Sequence, residues 1–336
     1  MNVSTHTWIA TLVVITAVLL VDLVIIGRRP HEPSLRESTF WVSLYVGLAV
    51  LFGLGLWLFA GGQPAGEFFT GWLTEYSLSV DNLFVFMIIM ARFGVPRRFQ
   101  QKALMIGIVL ALLMRGAFIA AGAALVSQFS WVFYLFGAFL IYTAIKFVWQ
   151  GEEDGEDFRE NVVIRWSRRA LPISRGFDSG HLTVKGPKGR RIFTPMFIVM
   201  IALGTTDLIF ALDSIPAIFG ITQEPYLVFS ANVFALMGLR QLFFLLGGLL
   251  ERLVYLPIGL AVILGFIGVK LVLDALAKNN LPFLNRGNPV GWAPHVPIWL
   301  SLSVIMGTLA ITTALSLLKT ARDRRAARRQ QVTAAR

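Results

Sequence analysis

The sequence contains no cysteine. That excludes a disulfide framework, a thiolate metal site and thiol redox chemistry. Charge is scarce too: 15% of the 336 residues are charged, against 56% hydrophobic. A water-soluble domain does not tolerate that balance. Histidine occurs only as His6, His31, His181 and His295, each outside the long apolar runs. No Gly-Lys-Ser/Thr phosphate-binding loop is present, so ATP cannot drive the protein in the usual way. No constellation with a catalytic role is found, and an enzyme is not expected.

What is present is apolar length, at a mean hydropathy of +0.70. Windows of about 20 apolar residues give nine spans: Trp8–Gly27, Phe40–Ala60, Phe68–Phe93, Lys102–Val126, Trp131–Trp149, Thr194–Phe219, Tyr226–Leu250, Leu253–Leu276 and Val296–Leu318. The predicted class is all-α, a polytopic protein of the cell membrane with the lipid bilayer as its surroundings. The first span is expected to be retained, because Met1 to Ala10 has no basic stretch and no small-residue cleavage site follows.

The net charge of +11 and a pI near 10.4 suggest nucleic acid only until the basic residues are located. Arg28, Arg29 and Arg36 lie in the first loop, and Arg92, Arg97 and Arg98 in the third. Nine Lys and Arg lie in the fifth loop, Gln150 to Phe193, and seven in the tail, Lys319 to Arg336. The second, fourth and sixth loops have none. This is the positive-inside pattern, with the N-terminus outside and the C-terminus in the cytoplasm. No nucleic-acid partner is implied. The fifth loop opens acidic and turns basic, and His181 to Phe193 reads as a small hairpin turning at Gly186–Gly189. Otherwise it reads as a solvated linker. The tail reads as an anchor at the anionic inner leaflet.

The chemistry lies inside the spans. EYSLSVDNLFVF, Glu75 to Phe86, puts Glu75, Asp81 and Asn82 in a membrane helix, and TDLIFALDSIPAIFGIT repeats the pattern with Asp207 and Asp213. A carboxylate at the centre of a span costs roughly 2.5–3.5 kcal/mol on insertion scales, so it is kept for a purpose. Glu75 and Asp81 recur 132 residues later as Asp207 and Asp213; Arg115 recurs as Arg240 and Lys146 as Lys270 after 125 and 124. Spans three to five, 68–149, and six to eight, 194–276, therefore read as two copies of a three-helix unit. They enter the membrane from opposite sides, as inverted repeats do. Lys146 and Lys270 are expected to snorkel to the interfaces.

Two acids six residues apart on a straight helix point about 120° apart. Convergence on one ligand needs a distortion, and Pro216 supplies a cause by leaving the Leu212 carbonyl without a donor. The available ligand atoms are oxygens: Glu75, Asp81, Asn82, Asp207, Asp213, Ser79, Ser214 and Asn232. Hard or borderline divalents (Mn²⁺, Mg²⁺, Ca²⁺) suit that set, whereas Zn²⁺ and Cu⁺ do not. Arg115 and Arg240, at the centres of their spans, are expected to be paired. Four acids against two arginines leave two negative charges, which one divalent cation neutralises; the alternative is that acids and arginines form structural ion pairs.

These motifs, together with FGVP (Phe93–Pro96), ALLMRGAFI (Ala111–Ile119) and SANVFALMGLR (Ser230–Arg240), resemble the TerC family of integral membrane proteins. The resemblance runs from the first span to the eighth. It implies membership of the lysine-exporter-like superfamily, a link to tellurium resistance, and export of manganese. It also implies that Glu75, Asp81, Asn82, Asp207, Asp213 and Ser214 form the metal site. Residue chemistry alone indicates only a divalent-cation transporter, gradient-driven and exchanging metal for protons. No prosthetic group is expected. The competing classes are a membrane scaffold in a stress response, which has no need of paired intramembrane acids, and an exporter of organic cations or amino acids, which would need an aromatic box from residues such as Tyr76, Phe84 and Phe210.

Overall fold

Three prolines and two glycines set much of the helix punctuation. Helix α1, Leu35–Ala60, opens on Ser34, whose hydroxyl accepts from the Glu37 amide at 3.2 Å. It ends at Gly61, where φ is +97°. Helix α2, Gly62–Arg92, then runs unbroken through the first acidic motif. Gly94, at φ +61°, turns the chain, and Pro96 precedes α3, Arg97–Gln128, so the FGVP motif is a helical hairpin turn. Helix α4 spans Val132–Gln150. Pro195 and Pro225 occupy first-turn positions of α5, Pro195–Phe219, and α6, Pro225–Leu236, where a missing amide costs nothing. Helix α7, Leu239–Leu246, follows α6; α8 is Leu256–Ala277 and α9 is Ile298–Ala334.

The structure is a computed structural model that describes residues 6, 8–11, 13–14, 17–18, 34–129, 131–150, 164, 172–174, 177, 181–185, 191–246, 254–277, 279, 281, 284–294 and 296–334. The side chains of Asp81 and Phe84 and those beyond Arg322 fall outside that description. Among the described residues eight helical stretches are long and apolar enough to cross a membrane. Most of the expected first span, including Asp22, lies outside the described residues. Its described part packs on α6: Trp8 meets Tyr226 edge-on at 5.0 Å, and the hydroxyls of Thr11 and Tyr226 are 2.8 Å apart.

Two expectations change. Helix α5 runs through Pro216 to Phe219 without the expected break. Pro216 lies within the last turn, so a single lost amide donor does not interrupt the helix. The break occurs instead in the seventh span. Met237 is extended (φ −64°, ψ 128°) and Gly238 takes φ +83°, separating α6 from α7. The helix of the ninth span continues past Leu318, through the basic tail to Ala334. The fifth-loop hairpin is formed: β1, Thr183–Lys185, pairs antiparallel with β2, Arg191–Phe193. Its turn lies outside the described residues.

Helices α2, α5, α6 and α8 form the interior. Helix α2 packs on α6 and α3 on α5, while α4 and α8 form the most extensive pair. That pair is close because Gly137 and Gly268 face each other: a Cβ on either would stand 2.9 Å from the other's carbonyl oxygen. Small residues at the contact are how membrane helices approach without a hydrophobic drive. Helices α1 and α9 line the periphery, with most of their surface open to lipid.

Candidate functional site

Arg115, on α3, is the largest fully buried side chain among the described residues. Acids receive it at that depth, as a buried guanidinium requires. Its Nη1 donates to Oε2 of Glu75 on α2 at 2.7 Å, and its Nη2 to Oδ1 of Asp207 on α5 at 3.4 Å. Glu75 is 0% exposed and Asp207 4%. The first acids of the two motifs thus meet on one guanidinium.

Each acid offers Arg115 a single oxygen. Ser214 of α5 and Asn232 of α6 are hydrogen-bonding neighbours of Glu75. Oδ2 of Asp207, Oγ of Ser79 and Oδ1 of Asn232 are buried without a hydrogen-bond partner among the described residues. Buried oxygens are normally satisfied, so a cluster of unpartnered ones marks a place for water or a ligand. Ser79, Asn82, Arg115 and Asp207 line one void of about 10 Å³, together with Leu236 and Leu239 from the two sides of the helix break. That is room for about one water.

Of the second acids, Asp213 does not join this centre. Asp213 is half-buried and turned to α4, where Thr143 Oγ1 donates to its Oδ1 at 3.1 Å. The cause is the unbroken α5: without a distortion at Pro216 the two acids stay on different faces of the helix. The side chain of Asp81 lies outside the described residues. Arg240 is buried at the start of α7, beside the break. Among the described residues no three or more His, Asp or Glu side chains are grouped to hold a metal ion.

Lys270 is corrected as well. It does not snorkel but is 6% exposed, and its Nζ donates to the Gly220 carbonyl at 2.8 Å, at the C-terminal end of α5. Lys146 is exposed near the end of α4. Next to Lys270 a cavity of about 680 Å³ opens, lined among others by Glu67, Thr222, Glu224 and Asp274. Thr222 Oγ1 donates to Glu67 Oε2 at 2.6 Å, tying α2 to the turn after α5. Thr143, the Glu67–Thr222 tie and the break at Gly238 were not identified from sequence. Only Gly238 carried a signal, a glycine in mid-span.

Eight apolar helices around a buried ionic centre define a polytopic α-helical membrane protein. The chain belongs to the integral membrane protein TerC family, whose model matches residues 60–324. An uncharacterized membrane protein of Mycobacterium tuberculosis is 48% identical over 320 residues, covering 94% of this chain and 80% of the relative. One from Myxococcus xanthus is 38% identical over 314 residues (93% and 92%). An Escherichia coli protein named "Putative membrane-bound redox modulator Alx" is 37% identical over 314 residues (91% and 92%). No solved structure matches the chain.

Proposed function

We propose that the protein is a secondary transporter that exports a divalent metal cation from the cytoplasm through the Glu75–Arg115–Asp207 centre. The observation that carries this reading is the buried ionic centre with three unpartnered buried oxygens among the described residues, on Ser79, Asp207 and Asn232, beside a discontinuous helix. Broken membrane helices present free backbone carbonyls where transporters bind cations. The oxygen-only donor set favours a hard or borderline divalent. The choice of Mn²⁺ rests on the family resemblance, and Ca²⁺ and Mg²⁺ suit the same oxygens. With no nucleotide-binding loop the driving force is an ion gradient, and proton antiport is the proposed coupling.

A pair of inverted repeats is part of the same proposal. In such a pair α2 corresponds to α5, α3 to α6 with α7, and α4 to α8. The α2–α6 and α3–α5 contacts then exchange, and α4–α8 lies on the axis. The neighbours of the acids exchange too. Asn82 and Ser214 are equivalent at the 132-residue offset; Ser214 stands by Glu75, and Asn82 shares a void with Asp207. Asp81 and Asp213 are proposed as further acids on the path. The acid-lined cavity at Glu67 and Glu224 is proposed as its outer mouth.

The test is uptake of Mn²⁺ into inverted membrane vesicles, compared with Mg²⁺, Ca²⁺ and Zn²⁺. Glu75→Gln and Asp207→Asn are expected to abolish uptake, and Asp81→Ala and Asp213→Ala to reduce it. Wild-type rates in Glu75→Gln and Asp207→Asn would overturn the proposal. The redox role in the Escherichia coli relative's name has no thiol basis in this chain, which lacks cysteine.

A further inference from the structure

We infer that Ile218 is the outer gate of the buried centre: its side chain, seated on Gly71 of α2, is the apolar rung that parts the Glu67–Thr222 rim of the large cavity from Glu75 and Ser214. This rests on the transporter reading above and adds where the path to the outside is closed.

The spacing of three contacts carries the inference. Glu67, Gly71 and Glu75 follow one another at four-residue steps along α2, so they share one face. The residues they meet step by four in the opposite sense: Thr222 just past the end of α5, then Ile218, then Ser214. The upper rung is polar, with Thr222 Oγ1 donating to Glu67 Oε2 at 2.6 Å and Gln63 Nε2 to its Oε1 at 3.0 Å. The lower rung is the hydrogen-bonded pair of Ser214 and Glu75. The middle rung is apolar. A Cβ at Gly71 would stand 3.4 Å from Cδ1 of Ile218 and 3.5 Å from Cβ of Ala231 on α6. Glu67 and Thr222 line the large cavity, whereas Gly71, Ile218 and Ala231 line neither it nor the small void at Arg115. Two helical turns of α2 rise about 11 Å, so one buried apolar layer parts the rim from the centre.

A hydrated cation does not pass an apolar constriction until it widens enough to wet. One isoleucine against a glycine and an alanine is such a constriction. Toward the cytoplasm the barrier is thicker: past Asn82, α2 buries Leu83, Phe86, Ile89 and Met90, clustered with Val199 and Leu203 of α5. The outer barrier therefore opens with the smaller movement. Ile218 also sits where α5 is least tied to itself. Pro216 has no amide for the Leu212 carbonyl, so the turn that carries Ile218 lacks one helical hydrogen bond. That turn is held from its neighbours instead, Thr222 by Glu67 and the Gly220 carbonyl by Lys270 Nζ at 2.8 Å. Release of the Thr222–Glu67 bond frees it to lift Ile218 off Gly71.

The chain has no cysteine, so a single introduced thiol reports on the gate. Ser214→Cys puts one below Ile218, and Gln223→Cys puts one in the cavity above it. The experiment measures how fast a small cationic methanethiosulfonate modifies each thiol in the purified full-length protein in detergent, with thermal unfolding identifying folded variants. The Ser214→Cys thiol reacts only in the fraction of molecules whose gate is open, so it should react on the order of a hundred-fold more slowly than the Gln223→Cys thiol. Adding Ile218→Ala or Thr222→Val to Ser214→Cys should each raise its rate on the order of ten-fold, by enlarging that fraction. Ile198→Ala, the same truncation in the cytoplasmic half of α5, should leave the rate unchanged. Equal rates at the two thiols, no acceleration by either folded gate variant, or equal acceleration by Ile198→Ala would overturn the inference. If Ile218→Ala does not fold, Ile218→Val decides: a faster reaction supports the gate and an unchanged one overturns it. Mn²⁺ added to the Ser214→Cys, Ile218→Ala protein reads the transporter proposal separately. Failure of Mn²⁺, Mg²⁺ and Ca²⁺ to slow modification would count against metal at the centre and leave the gate standing.

Discussion

Glu75 and Asp213 are both intramembrane carboxylates, yet their surroundings give them different weights. Glu75 is fully buried and carries the shorter bond to Arg115. Taking one partner from a buried ion pair costs roughly 3–5 kcal/mol, because a charge is left without compensation. Asp207 still faces Arg115, so Glu75→Gln should fall at the lower end of that range. Asp213 is half-buried and accepts one hydrogen bond from Thr143. In Asp213→Asn the amide oxygen still accepts that bond, so the loss should stay below about 1 kcal/mol. Denaturant unfolding in detergent micelles would show the contrast; equal losses would mean that Arg115 does not depend on Glu75. At this scale the sequence was informative about identity and silent about direction. Glu75, Asp207 and Arg115 stand out because charge in an apolar run is rare. That Asp213 turns to Thr143 follows from which face of α5 meets α4, which no local pattern encodes.

The helices themselves were the most legible part, because a span needs only length and apolar composition. Their interruptions were less so. Pro216 is the strongest breaker in its span, but its place in the last turn of α5 makes it harmless. Gly238 is a weaker signal, and it breaks the chain because of what surrounds it. The residue takes φ +83°, and a Cβ there would stand 3.0 Å from Cδ2 of Tyr45 on α1. Gly238→Ala therefore meets two penalties. The left-handed backbone alone costs an L-residue about 1–2 kcal/mol. Thermal unfolding should show that loss, and uptake should fall with it if the break serves transport. An alanine variant as stable and active as wild type would mean that α6 and α7 can join into one helix at no cost. The α4–α8 contact makes a parallel case. A Cβ at Gly268 would meet the Gly137 carbonyl oxygen at 2.9 Å, and backbone cannot swing away as a side chain can. Gly268→Ala should destabilise by roughly 1–3 kcal/mol, the usual range for overpacking, measured in the same unfolding experiment.

At the scale of the whole molecule, the lack of cysteine is an experimental asset. Single cysteines can be introduced without removing any. Gln223 and Arg97 are both exposed, at opposite ends of the spans. Given the loop charges, Gln223→Cys should react with an impermeant maleimide on intact cells and Arg97→Cys only after permeabilisation; the reverse result would invert the orientation and turn export into import.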